Sequence, residues 1–334
     1  MSLRLECHIA AFMPVPSMPY RGRFAPSPTG QLHLGSLLAA VGSWLRARWH
    51  GGTWLVRIED LDPEREVTGA DIDMIETLAR FGMESDEPVL WQSERSALYR
   101  AALEKLANAG IAYRCACSRR DLEPFDGIHP AHCVSQIDDA IDLAWRVRTG
   151  HAVIGFDDIR LGPQSFALDK GGGDFLIWRR EGWAAYQLAV VIDDAAQAIT
   201  EVVRGSDLLD STPRQIWLQR QLGLPQPGYL HLPIIRDEDG RKLSKQDHSR
   251  PVAVDDPMPA LIAVLDMLGL PAISATTPAA ALDAALHHPD WSGSALASRK
   301  APANVALQRE ISDSFGQTGM PSPPIRTAST QQGK

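Results

Sequence analysis

The chain has 334 residues, 44% hydrophobic and 22% charged, with a net charge of −8 at pH 7. That length supports one large or two medium domains around a sizeable core, and the composition is that of a soluble globular protein with no apolar run near the roughly 18 residues that a membrane helix needs. The acidic balance argues against a generally basic nucleic-acid binder, so any RNA would have to meet a local basic face.

In chain order, residues 1–20 form an arm whose apolar patch, Ile9 to Met13, is broken by Pro14 and Pro16. It lacks the uninterrupted apolar core of a signal peptide and is expected to be flexible, with Met18 a candidate later start. The stretch Arg23 to Ser36 (RFAPSPTGQLHLGS) then organises the chain. Phe24 and Ala25 close a short buried strand, Pro26 and Pro28 stop it, and Gly30 permits a bend before the apolar helical run Leu37 to Leu45. A helix N-terminus with unpaired N–H groups favours a phosphate, and His33 and Gly35 stand where that anion would lie.

Thr53 to Ile58 alternates as a second strand and delivers Arg57, Glu59 and Asp60 to its C-terminal end. Ligands gather at such ends in open parallel sheets, so Glu59 is a candidate to receive an ammonium group. Helical spacing recurs from Gly69 to Phe81 and from Ala97 to Ala109, with Gly110 as C-cap.

Four cysteines are present: Cys7, far upstream, and Cys115, Cys117 and Cys133. A disulfide scaffold would spread them over a small secreted chain. Cys-x-Cys, eleven residues, His129, three residues and Cys133 instead offer three thiolates and an imidazole, which suit a closed, tetrahedral, structural zinc site. His132 competes as fourth ligand, but being next to Cys133 it would have to turn back on the ion.

Ala140 to Ile154 and Asp157 to Leu168 read as a β-rich insertion, Asp174 to Trp178 as a strand, and Ala184 to Ile192 as a long apolar strand opened by Tyr186 and ended by Asp193 and Asp194. Ile199 to Val203 is a further strand leading into Arg204. A guanidinium fork fits a carboxylate bidentately, so Arg23 and Arg204, with the Tyr186 hydroxyl, could hold a dicarboxylic amino acid. Thr212 to Leu222 is a helix capped by Ser211 or Thr212, followed by Tyr229 to Ile235. Next come an Asp-Glu-Asp-Gly turn and the segment Lys242-Leu243-Ser244-Lys245-Gln246. Two lysines and a serine on a Gly-hinged loop can neutralise charge building on a nucleotide's phosphates. Pro259 to Leu268 and Pro278 to Leu286 read as helices, and from about Ser298 the chain is Ser-, Thr-, Pro- and Gln-rich and expected to be disordered.

The Lys242 to Gln246 segment resembles the mobile lysine loop of class I aminoacyl-tRNA synthetases, and Arg23 to Ser36 resembles their other signature. Residues 57–65 (RIEDLDPER) and the glutamate-type pattern Arg23 to Ser27 are similar to glutamyl-tRNA synthetases. With the cysteine cluster, residues 186–194 (YQLAVVIDD) and no large helical anticodon-binding domain after the lysine loop, the chain resembles the glutamyl-queuosine tRNA(Asp) synthetase family.

That resemblance implies a Rossmann-like α/β catalytic domain in two halves, 21–112 and 171–248. A zinc-binding insertion at 113–170, a small helical module at 249–297 and a tail at 298–334 complete the expected organisation. It implies ATP-dependent activation of L-glutamate, without tRNA, and transfer to the queuosine base at the wobble position of tRNA(Asp) by a cytoplasmic monomer. It assigns glutamate to Arg23, Phe24, Ala25, Pro26, Ser27, Glu59, Tyr186 and Arg204, and ATP with magnesium to His33, Gly35, Lys242, Ser244 and Lys245. His33 and Lys245 become the catalytic pair. Zinc goes to Cys115, Cys117 and Cys133 with position 129, where the family commonly has tyrosine, so His129 rests on donor chemistry. Ser36 stands where many class I enzymes have histidine, as it does in the queuosine family. A truncated enzyme charging tRNA(Glu) and a non-catalytic tRNA-binding paralogue remain open alternatives.

Overall fold

A computed structural model describes residues 19–130, 132–135, 143–171, 173–234, 251–270 and 273–288. The N-terminal arm through residue 18, the Lys242 to Gln246 segment and the tail from 298 lie outside them.

Strand β1 (Arg21–Phe24) leads through Pro26, Pro28 and Gly30, whose φ of +125° only glycine adopts readily, into helix α1 (Leu34–Trp49). The helix starts three residues before the expected Leu37 because His33 caps it. β2 (Thr53–Ile58), α2 (Ala70–Arg80), β3 (Leu90–Trp91) and α3 (Ser96–Asn108) follow. β4 (Ala112–Cys115), β5 (Ala144–Val147), β6 (Val153–Asp158), β7 (Gly162–Ala167) and the single turn α4 (Leu168–Gly171) come next. Then come β8 (Leu176–Trp178), α5 (Tyr186–Ala196), β9 (Glu201–Gly205), α6 (Thr212–Leu222) and β10 (Gly228–Leu232). Two helices, α7 (Met258–Met267) and α8 (Pro278–Leu286), end the described chain. Ser211 occupies the cap position of α6 but its side chain makes no capping hydrogen bond.

The expected strand from Ala184 to Ile192 is overturned, for these residues enter helix α5. Leu188, Ala189, Val190 and Val191 are all buried, as are Asp193 and Asp194. A helix buried on nearly every side loses its polar stripe and leaves an apolar run that periodicity cannot tell from a strand. Asp193 and Asp194 therefore belong to a buried helix.

β1, β2 and β3 are parallel neighbours in that order, and β9, β10 and β6 are parallel neighbours in a second sheet that β7 closes in antiparallel fashion. The sheets meet where Thr200 N donates to Arg21 O at 2.9 Å and Arg21 N donates to Thr200 Oγ1 at 2.8 Å. From that seam the chain crosses over α1 to β2 in one direction and over α6 to β10 in the other. The order reverses between β1 and β9, the place where an open α/β sheet forms a crevice at its carboxyl ends. An antiparallel trio, β4-β5-β8, lies apart.

Both faces are covered. Trp54, Val56 and Ile58 of β2 pack into one core with α1, α2, α7 and α8, whereas Leu55 joins a second with α3, α5 and α6. Val203 and Val202 of β9, and Leu230 and Tyr229 of β10, divide the same way. Period-two alternation thus survives between two apolar layers, which is why these strands read as nearly continuous hydrophobic runs.

Candidate active site

A cleft of about 510 Å³ opens at the carboxyl ends of β1, β2, β9 and β10. β1 and its exit supply Arg23, Phe24, Ala25, Pro26 and Ser27, β2 is followed by Glu59, and β9 supplies Arg204. The start of α1 adds His33, Gly35 and Ser36, α5 adds Tyr186, and Pro233 and Ile234 beyond β10 close the far wall. Every described residue expected to meet glutamate or ATP lines this one cavity. Lys242, Ser244 and Lys245 lie outside the described residues, but the chain on either side of them comes to the cleft: Ile234 lines it, and Pro251 pairs with His33.

The exit of β1 is held by Glu59 N donating to Pro26 O and Val67 N donating to Pro28 O. His33 Nδ1 accepts from Ser36 N at 3.2 Å, and Nε2 lies 3.1 Å from Ser36 Oγ. An acceptor at Nδ1 puts the neutral ring's proton on Nε2. Gly35 makes room for this ring: a Cβ there would stand 3.1 Å from Cε1 and 3.2 Å from Nδ1.

Beneath the cleft lies a buried ionic network. Arg23 donates through Nε and Nη2 to Asp194, leaving Nη1 without a partner among the described residues. Arg57, itself wholly buried, donates to Asp194 at 2.8 Å and to Gln197 at 2.8 Å, and reaches Glu59 at 3.4 Å. Burial alone would raise the Asp194 carboxyl, but Arg23 and Arg57 outweigh it and hold it below the ordinary range. At Glu59 burial wins over the same two arginines and pushes the carboxyl up. Burial also raises the Tyr186 phenol, whose oxygen accepts from Arg204 Nη1 at 3.3 Å. Sequence reasoning missed Asp194 as the anchor of Arg23, because the mistaken strand placed it merely at a strand end. It also passed over Asp158 and His231, both buried beside Arg204.

Away from the cleft, Cys115, Cys117, His129 and Cys133 bring one ligand atom each to within 4.8 Å of all the others, a cluster that could hold a metal ion. His129 Nδ1 lies 2.7 Å from the Pro130 carbonyl, so with its proton there Nε2, 3.3 Å from Cys115 Sγ, keeps its lone pair for an ion. Burial, with Arg146 nearby, lowers the His129 pKa and favours the neutral, ligating form. Burial and the adjoining thiols push Cys133 up to about 12, the cost of crowding thiolates that a bound cation would offset. His132 does not belong to the cluster.

The comparisons agree with this architecture. The family model for the catalytic domain of class I tRNA synthetases (E and Q) matches residues 20–132 and 143–277. A glutamyl-Q tRNA(Asp) synthetase of Xanthomonas axonopodis pv. citri is 56% identical over 256 residues, covering 76% of this chain and 85% of that protein. One from Burkholderia cenocepacia is 53% identical over 267 residues, covering 76% and 89%. Among solved structures, a glutamate-tRNA synthetase from Elizabethkingia anophelis superposes with a TM-score of 0.72 at 24% identity, covering 90% of this chain and 71% of that one. That last likeness is one of fold.

Proposed function

Because the chain belongs to the class I synthetase family for glutamate and glutamine, and within it to the glutamyl-Q tRNA(Asp) synthetases, we propose that its cleft joins L-glutamate to AMP. The glutamyl group then passes to the queuosine base at the wobble position of tRNA(Asp), and AMP leaves as the acyl–phosphate bond breaks.

The observation that carries this reading is the convergence of Arg23, Glu59, Tyr186 and Arg204 with the His33-capped N-terminus of α1 in one cavity. Arg204 and Nη1 of Arg23 offer cationic donors to carboxylate oxygens, and Glu59 receives the ammonium group. One glutamate carboxylate oxygen attacks the α-phosphorus of ATP, the bond to the bridging oxygen breaks, and pyrophosphate leaves. The N–H groups at the start of α1 and the His33 Nε2–H stabilise the charge that gathers on phosphate oxygens during that step. Lys245, with Lys242 and Ser244, supplies further charge. Lys245 stands six positions before Pro251, the partner of His33. ATP enters as its magnesium complex. No covalent enzyme intermediate is needed, since alignment and electrostatics do the work.

Cys115, Cys117, His129 and Cys133 would hold zinc. With three thiolates and an imidazole as its donors, the ion would serve a structural role, stapling β4 to the loop that follows it. The protein acts as a cytoplasmic monomer in this reading. Pyrophosphate exchange into ATP tests the first half: it should require glutamate, proceed without tRNA and ignore glutamine. Exchange that is absent with glutamate, or equal with glutamine, overturns the reading.

A further inference from the structure

Behind Arg204, on the side away from the cleft, lies a buried hydrogen-bonded chain that the reaction as described does not use. Asp158, at the end of β6, accepts four hydrogen bonds: Oδ1 from Arg160 N at 3.0 Å and Leu161 N at 2.8 Å, Oδ2 from His231 N at 3.1 Å and His231 Nδ1 at 2.7 Å. A carboxylate so surrounded by donors stays an acceptor, so His231 must carry its proton on Nδ1. Its Nε2 then presents a lone pair, 3.3 Å from Arg204 Nε and 3.0 Å from Thr212 Oγ1. Thr212 Oγ1 in turn accepts from Arg204 Nη2 at 2.7 Å. Asp158, His231, Thr212 and Arg204 are all at most 5% exposed. Burial, aided by Arg204, lowers the His231 pKa and agrees with a neutral ring.

We propose that His231, fixed in its Nδ1–H tautomer by Asp158, is a positioning residue that clasps the Nε and, through Thr212, the Nη2 edge of Arg204, so that Nη1 faces the amino acid. Specificity for a dicarboxylic substrate then depends partly on a hairpin of the insertion, since β6 carries Asp158 and pairs with β10 beside His231. The inference rests on Arg204 being a contact for glutamate.

His231→Asn is the informative variant, for its amide can still donate to Asp158 while the acceptor towards Arg204 is removed. In glutamate-dependent pyrophosphate exchange, loss of one buried hydrogen bond of this kind should raise the KM for glutamate about tenfold and leave the KM for ATP unchanged. An unchanged KM for glutamate overturns the proposal. Imidazole nitrogen chemical shifts of the unaltered protein give a second readout that survives any folding defect of the variant. The His231 signal must report Nδ1–H with bare Nε2, and the opposite tautomer overturns the clasp. Failure of the unaltered protein to exchange with glutamate would instead overturn the functional reading, with the nitrogen shifts still judging the clasp.

Discussion

Arg23 and Asp194 form an ion pair on the floor of the cleft, Nε to Oδ1 at 3.0 Å, with both side chains at most 6% exposed. Asp194 also holds Arg57 at 2.8 Å, so one carboxylate on α5 aligns guanidinium groups from β1 and β2. Removing one partner of a buried pair leaves the others uncompensated. Asp194→Asn should therefore cost about 3–5 kcal/mol in chemical denaturation. The sign with pH follows from the lowered Asp194 pKa. Its contribution is fully present above the ordinary carboxylate value and is lost as pH falls through the lower folded value, so the variant should show a shallower acid limb.

Glu59 predicts the opposite displacement. Burial raises its pKa despite Arg57 and Arg23, so it takes up a proton at a higher pH than an exposed carboxylate does. Only the ionised form attracts an ammonium group, and the KM for glutamate should climb as pH drops through that raised value. Glu59→Gln should abolish this dependence and weaken glutamate binding by about 1.5–3 kcal/mol, the scale of a charge-assisted hydrogen bond. A steady-state pH series with both proteins separates this effect from titration of glutamate itself.

At Gly35, stability and activity should move apart. Alanine is favoured over glycine within a helix by about 1 kcal/mol, yet the new Cβ would press on the His33 ring at 3.1 Å. Gly35→Ala should keep or raise the melting temperature while the KM for ATP increases. Thermal unfolding and exchange kinetics on the same sample give both numbers.

The cysteine cluster makes a separable prediction, because none of its four residues lines the cleft. Chelation, or Cys133→Ser, should release one zinc ion per chain by mass spectrometry. It should lower the melting temperature by about 2–4 °C for each kcal/mol of binding energy lost. Glutamate-dependent exchange measured below the new melting temperature should persist.

Much of the site was legible because its chemistry is local. The run from Arg23 to Ser36 carries strand, stop, bend and helix start in fourteen residues, and Glu59 directly follows β2. The cysteine spacing likewise announced a four-ligand cluster. What escaped was long-range and buried. The Asp194 partners lie 171 and 137 residues away, and the Asp158–His231 pair is 73 residues apart, distances over which no periodicity operates. The misread strand shares that cause: residues 188–192 of α5 are an unbroken apolar run because the fold surrounds the helix, and nothing within residues 184–192 records the neighbours that do so.

In the proposed function, glutamate activated in this cleft ends on a nucleobase of tRNA(Asp). Nucleoside mass spectrometry of queuosine-containing tRNA(Asp), after incubation with the protein, glutamate and ATP, measures this directly. A glutamyl adduct on queuosine that requires both small substrates is the expected result. Unmodified queuosine, with glutamate appearing instead on the 3′ end of tRNA(Glu), would overturn the proposed function.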